Sequence, residues 1–243
     1  MQLLGFFLAL VIGLTLGMLG GGGSILTVPV FVYVLGYDPK LAIAMSLPVV
    51  GATSLVGAIG HWRAGNVRVG TALPFGVVAM AGAYAAARLS EHLQGRTQLL
   101  VLGVTMLAAS AMMLRGSPIA GQPAAAEEHA ALAPFLAVGF FVGALTGVIG
   151  IGGGFLIVPA LVVLARIPMR QAVGTSLLVI TMNSLAGFLG QRHVAEIPLR
   201  FVVTFGAIAM VGIVVGTRMV KYVAPATLKR AFAVFVMVIA AML

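Results

Sequence analysis

Long apolar runs alternate with short polar turns along the whole chain. They occupy residues 3–19, 25–36, 41–60, 71–87 and 99–114, then 132–149, 155–165, 172–190, 201–217 and 231–243. Most approach the roughly 20 residues a helix needs to cross about 30 Å of hydrocarbon. An open strand could not satisfy its backbone in that medium, so the pattern predicts helices. Residues 25–36 and 155–165 hold only 12 and 11 residues. At about 1.5 Å per residue each reaches roughly 16 to 18 Å and reads as a half-crossing. The first run has no basic leader and no small-x-small cleavage site, so it is expected to stay in the mature protein.

Sliding the chain against itself by 130 residues aligns residues 13–88 with 143–218 without a gap, giving 23 identities in 76 positions. The identities fall on punctuating residues: Gly17 with Gly147, Gly20 with Gly150, Gly22 with Gly152, Gly23 with Gly153, Pro29 with Pro159, Ser46 with Ser176, Ser54 with Ser184 and Arg88 with Arg218. The expected fold is therefore an all-α polytopic membrane protein of two tandem homologous repeats. It has 8 to 10 hydrophobic segments, including two short half-helices that follow Gly-rich breaks. Residues 1–114 form the first repeat and 132–243 the second. Residues 115–131, rich in Ala, Gly and Pro with Glu127, Glu128 and His129 near the end, form a solvated linker.

Composition makes the bilayer explicit. The chain is 61% hydrophobic and 8% charged, with a mean hydropathy of +1.18. Soluble domains carry roughly 45–50% apolar and about 25% charged residues, so a soluble enzyme and a disordered chain are both excluded. Fourteen Lys and Arg stand against Asp38, Glu91, Glu127, Glu128 and Glu196, a net charge of +9. The cations sit in turns rather than in a stripe, which fits membrane orientation and not nucleic-acid binding. Grouping the loops with the short segments crossing or re-entering divides the Lys and Arg nine to five either way, so charge leaves the parity of the halves undecided. An inverted arrangement is expected, because it brings two equivalent breaks together near the midplane. With no cysteine, disulfides, thiolate chemistry and Cys-ligated metals are excluded.

The breaks are the first candidate chemistry. Gly20, Gly21, Gly22, Gly23 and Ser24 recur as Gly150, Ile151, Gly152, Gly153 and Gly154, each group ahead of a Val-Pro pair. Glycine favours unwound backbone, and the amides at the start of the following half-helix can cradle an anion without any charged side chain. Gly13-xxx-Gly17 and Gly139-xxx-Gly143-xxx-Gly147 are better explained as helix packing. A nucleotide-binding loop is excluded, because no Gly-Lys-Ser/Thr follows and no strand precedes.

A polar stripe is the second. Ser46, Thr53 and Ser54 in the first half, and Thr175, Ser176, Asn183 and Ser184 in the second, fall seven and eight residues apart on one helical face. Such groups line a substrate path or bond between helices and to their own carbonyls. None of the five acids lies in an apolar run, which argues against a cation substrate and against proton coupling through a carboxylate. His61, at a helix end, is the candidate proton relay. Arg63, Arg68, Arg192 and Arg200 flank the turns, where they set topology or draw an anion to a vestibule. No metal site, cofactor motif or hydrolytic constellation is present, so no enzymatic activity is expected.

The motifs Gly17-Met18-Leu19-Gly20-Gly21-Gly22-Gly23-Ser24 with Val28-Pro29, and Gly147-Val148-Ile149-Gly150-Ile151-Gly152-Gly153-Gly154 with Val158-Pro159, resemble those of the TauE/SafE sulfite exporter family, also called the toluene sulfonate uptake permease family. Ala42-Ile43-Ala44-Met45-Ser46-Leu47 and Ala172-Val173-Gly174-Thr175-Ser176-Leu177 extend the resemblance over essentially the whole chain. It implies a multi-pass transporter of the bacterial inner membrane that moves sulfite, organosulfonates or related small anions. The first repeat reads Ala44-Met45-Ser46 where the second has Gly174-Thr175-Ser176, so the second half is expected to supply more of the polar contacts. An anion-selective channel and a non-transporting membrane scaffold remain the alternatives.

Overall fold

The computed structural model describes residues 2–90, 93–114, 132–149, 154–163, 165, 167–191, 197–224, 226–228, 230–231, 234 and 237. Gly150, Ile151, Gly152 and Gly153, the linker 115–131, Glu91, Arg192, His193 and Glu196 lie outside the described residues. Among the described residues the secondary structure is entirely helical: α1 (Gln2–Leu19), α2 (Gly22–Pro29) running on through a π-helical turn (Val30–Val34), α3 (Pro39–Arg63), α4 (Val69–Leu89), α5 (Gly95–Leu114), α6 (Leu132–Ile149), α7 (Gly154–Val163), α8 (Met169–Gly190) and α9 (Leu199–Met219), the last ending in a 3-10 turn (Val220–Tyr222).

Four of these helices are long and apolar enough to cross a membrane: Pro39–Arg63, Val69–Leu89, Met169–Gly190 and Leu199–Tyr222, with 25, 21, 22 and 24 residues. Their lengths correspond to roughly 32–38 Å. Large apolar side chains point outward around the bundle, among them Leu3, Phe7, Leu73, Val77, Phe141, Leu189, Val203 and Val211. So wide an apolar surface is stable only against lipid. The protein is a multi-pass membrane protein.

Helix ends follow local chemistry. The Asp38 carboxylate accepts from the Lys40 N–H at 2.9 Å and caps α3, with Pro39 at the first helical position. Pro29 brings no N–H to α2, and beyond it the chain winds more loosely, closing with Leu35 N–H to Val30 O at 3.0 Å. The short apolar run expected over residues 25–36 is thus a helical rod that begins earlier, at Gly22.

At the centre α3 and α8 cross antiparallel. A Cβ added to Gly57 would lie 3.0 Å from Leu177 Cδ1, one on Gly51 3.0 Å from Ser184 Cβ, and one on Gly187 3.3 Å from Leu47 Cδ2. Around this crossing, α1 runs parallel to α9 and α6 parallel to α4. The would-be Cβ of Gly13 sits 2.8 Å from the Ala209 carbonyl carbon and that of Gly17 2.6 Å from Ile213 O. Those of Gly143 and Gly147 sit 2.6 and 2.9 Å from the carbonyl carbons of Ala79 and Ala83. Shifting each residue by 130 positions turns the first set of contacts into the second. Gly139, Gly143 and Gly147 therefore act in close helix packing, where a side chain would force the backbones apart.

Leu35 returns to Gly5, so α2 and its π-helical turn lead back to the end of the bundle where α1 starts. We call this the near end. The far end carries the last turns of α3 and α9 and the first turn of α8, since Gly60 meets Thr217 and Gly174 meets His61 and Asn66. Phe31, Tyr37, Phe201 and Phe205 interlock at the near end, with Phe31 and Phe205 centroids 4.9 Å apart.

Candidate functional site

Ser46, Thr53, Ser54, Thr175, Ser176, Asn183 and Ser184, the polar stripes of α3 and α8, are all buried, and Ser184 meets Gly51 where the two helices cross. Their hydrogen bonds divide them into three groups.

Ser46, Thr53 and Ser176 donate to carbonyls of their own helices, at Ile43 O (2.8 Å), Val49 O (2.6 Å) and Val173 O (2.8 Å). Bonds of this kind satisfy a hydroxyl in an apolar surrounding at little conformational cost. Thr175 is engaged differently: its Oγ1 accepts from the Arg68 backbone N–H at 3.0 Å, while the Arg68 side chain reaches Gln171 Oε1 at 2.6 Å. That hydroxyl moors the loop between α3 and α4.

Ser54 Oγ, Ser184 Oγ and both amide atoms of Asn183 form the third group, buried without any hydrogen-bond partner among the described residues. Ser54 and Asn183 are 0% exposed and Ser184 1%. An unsatisfied buried polar atom costs about 1–3 kcal/mol, so these four atoms on α3 and α8 are candidates for contact with a ligand. A ligand that accepted from two hydroxyls and one amide NH₂ would relieve most of that cost. The sequence placed all three residues on the stripe but could not separate them from their bonded neighbours, because the difference lies in what faces each side chain.

The first break meets the start of α7 against α8. Gly20 has φ 74°, a left-handed conformation that suits glycine. A Cβ there would lie 2.7 Å from Ser176 Oγ and 2.8 Å from Val173 Cα. The chain reverses through Gly21, the cap of α2, so that Gly23 rests on the α1 backbone at Ile12 and Leu16. Ser24 donates to Gly21 O at 2.8 Å. Gly154, at the start of α7, would place a Cβ 2.6 Å from Gly21 Cα and against Ile180, one helical turn from Ser184. The N-terminal ends of α2 and α7 therefore converge, and each carries a partial positive charge and amides without intrahelical partners. Gly20 and Gly154 rest against α8 and Gly21 against Gly154, whereas the contact seen at Gly23 is with α1. Gly22 begins α2 between them.

His61 is fully buried in the last turn of α3, at the far end. Its Nε2 lies 3.1 Å from Gly17 O, which can only accept, so Nε2 carries the proton and Nδ1 is an acceptor without a partner among the described residues. The ring ties α3 to the last turn of α1, just ahead of the Gly20 break. Arg63 and Arg68 lie at the far end, and Arg200 opens α9 at the near end. No group of three His, Cys, Asp or Glu that could hold a metal occurs among the described residues.

Sequence comparison places this architecture among known proteins. Probable membrane transporter proteins from two strains of Xylella fastidiosa, 9a5c and Temecula1, are 38% and 37% identical to it over 174 residues, covering 70% of this chain. The chain spans 66% of the length of each of those relatives. A probable membrane transporter protein from Methanocaldococcus jannaschii is 28% identical over 191 residues, covering 75% of this chain and 70% of the relative. No solved structure matches it. The profile of the sulfite exporter TauE/SafE family matches residues 5–243, and the chain belongs to that family.

Proposed function

We propose that the protein is a secondary transporter of small anions, with sulfite, organosulfonates and related sulfur-containing or organic anions as the substrate class. The observation that carries this reading is the set of unpartnered, buried donors on Ser54, Asn183 and Ser184 at the α3–α8 crossing. An anion there would gain hydrogen bonds from three side chains and face the converging N-terminal ends of α2 and α7. Among the described residues the one acid, Asp38, caps the near end of α3 and does not repel it. Full burial favours a carrier's occluded site over the open lumen of a channel.

The antiparallel α3 and α8, with glycine contacts that interchange on a shift of 130 residues, support two inverted repeats about an axis in the membrane plane. Alternating access would then open the shared crossing to one side and afterwards to the other. Among the described residues the far end carries Arg63, Arg68, Arg170, Arg218 and Lys221 against Lys40, Arg88, Arg96 and Arg200 at the near end. By the positive-inside rule the far end faces the cytoplasm of a bacterial inner membrane. His61, whose Nδ1 has no partner among the described residues, is the group proposed to couple proton movement to the cycle.

Counterflow in proteoliposomes tests the reading. Liposomes preloaded with unlabelled sulfite should transiently accumulate labelled sulfite at zero membrane potential, with sulfonates, sulfate and small carboxylates ranked as competitors. Accumulation of none of these anions by folded, inserted protein would sink the proposal.

A further inference from the structure

A crevice of about 530 Å³ opens between the far ends of α3 and α9, lined by Val56, Ile59 and Arg63 on one wall and by Val214, Arg218 and Lys221 on the other. On α3 these residues fall at i, i+3 and i+7, and on α9 at i, i+4 and i+7, so each wall is a single helical face. Both faces grade in the same direction. The valines lie deep, and the cations lie one to two helical turns, about 6–10 Å, farther toward the far end.

Its surroundings set the depth of this crevice in the bilayer. Trp62, 65% exposed, and Tyr222, 80% exposed, flank the mouth. Lys221 Nζ lies 4.9 Å from the Tyr222 ring centroid. Exposed Trp and Tyr beside Arg and Lys mark the headgroup level of a membrane protein. Ile59 is 41% exposed, so the apolar floor faces outward toward acyl chains. Asp38, the one acid among the described residues, caps the opposite end of α3 and cannot neutralise the mouth. Three cations with no acidic neighbour among the described residues, above an apolar trough and at headgroup depth, match a ligand that is anionic at one end and aliphatic at the other.

We propose that this crevice is a binding site for an anionic phospholipid, with the phosphodiester between Arg63, Arg218 and Lys221 and the first part of an acyl chain along Val56, Ile59 and Val214. The site is separate from the buried α3–α8 crossing. A juxtamembrane Lys or Arg contributes a modest attraction to an anionic headgroup, and three acting on one phosphate give a preference of about tenfold or more over a zwitterionic lipid. Because the lipid would bridge α3 and α9, it would brace the contact between Gly60 and Thr217, where a Cβ would approach Thr217 Cγ2 to 3.0 Å.

The test uses the full chain in detergent, with lipid binding followed by native mass spectrometry and thermal unfolding. Dioleoyl phosphatidylglycerol should bind and raise the unfolding temperature, while dioleoyl phosphatidylcholine and inorganic phosphate at matched concentrations should do neither. The Arg63→Gln/Arg218→Gln/Lys221→Gln protein should lose the preference. All three side chains are exposed, so folding should survive; if it does not, Ile59→Trp, which fills the trough without changing charge, should weaken phosphatidylglycerol binding alone. Equal binding of the two lipids, or a preference that survives both the triple change and Ile59→Trp, would overturn the proposal. An equal shift with inorganic phosphate would overturn it too, and would make the crevice a vestibule for soluble anions.

Discussion

The Thr175 hydroxyl accepts a hydrogen bond from the Arg68 backbone N–H at 3.0 Å, joining α8 to the loop that starts α4. The positions 130 residues away are Met45 and Pro198, where the acceptor and the donor are both missing. The two halves differ here as a matched pair: where one partner is gone, so is the other. Thr175→Val should therefore leave the Arg68 N–H unsatisfied and cost about 1–3 kcal/mol, read as a lower unfolding temperature in detergent. Met45→Thr should gain nothing, because Pro198 has no N–H to give.

Asn183→Leu separates a ligand site from a structural amide. If the amide serves only a ligand, replacing it with an apolar side chain of similar size removes two unsatisfied atoms. The protein should then unfold at the same or a higher temperature, by roughly 2–4 °C for each kcal/mol regained, while counterflow is lost. A protein that unfolds earlier would identify Asn183 as a structural residue. Ser54→Ala and Ser184→Ala should each weaken the apparent affinity about tenfold, one hydrogen bond to an anion being worth roughly 1.5 kcal/mol or more.

Glycine replacements should rank by what surrounds them. Gly20 and Gly36 share φ 74°, yet a Cβ on Gly36 meets nothing within 4 Å, while one on Gly20 strikes Ser176 and Val173. Gly36→Ala should cost only the backbone penalty of about 1–2 kcal/mol and leave transport intact. Gly20→Ala and Gly154→Ala should abolish counterflow in protein that still inserts.

The chain has no native cysteine, so orientation can be read with single introduced thiols. Ala64→Cys lies beyond α3 at the far end, and Gln94→Cys precedes α5 at the near end. A membrane-impermeant maleimide added to intact cells should label Gln94→Cys and spare Ala64→Cys. The reverse pattern would turn the protein over, and equal labelling would refute placement of the two loops on opposite sides.

His61→Gln keeps a side-chain N–H for Gly17 O but removes the titrating ring. Under the proposed coupling, uptake driven by a pH gradient should fall at least about tenfold while counterflow persists. Unchanged gradient-driven uptake would leave His61 as a tie between α3 and α1.

Much of this was legible in residue order. Hydropathy marked the helices, because a bilayer leaves the backbone few other options. The 130-residue repeat foretold that Gly13 and Gly143 would do the same job. Direction was not legible: the tally of Lys and Arg came out the same for both parities, whereas Gly51 beside Ser184 and Gly57 beside Leu177 require α3 and α8 to be antiparallel. Nor could spacing tell Ser176, bonded to Val173 O, from Ser184, without a partner among the described residues, since the two lie on one stripe and differ only in their neighbours. The Arg63–Arg218–Lys221 crevice escaped notice because α3 and α9 come from different halves of the chain.

The glycine-lined contacts of α1 with α9 and of α6 with α4 interlace the two halves of the polypeptide. Each half lends its opening helix to the other, as two people link arms, and the backbones meet too closely there to slide. Under the proposed alternating access, the moving bodies would be mixed assemblies, one built on α1 and α9 and the other on α4 and α6, rather than the two stretches of sequence. Cutting the chain within residues 115–131 would sever the covalent link and leave both clasps closed, so fragments made separately should each need the other to fold.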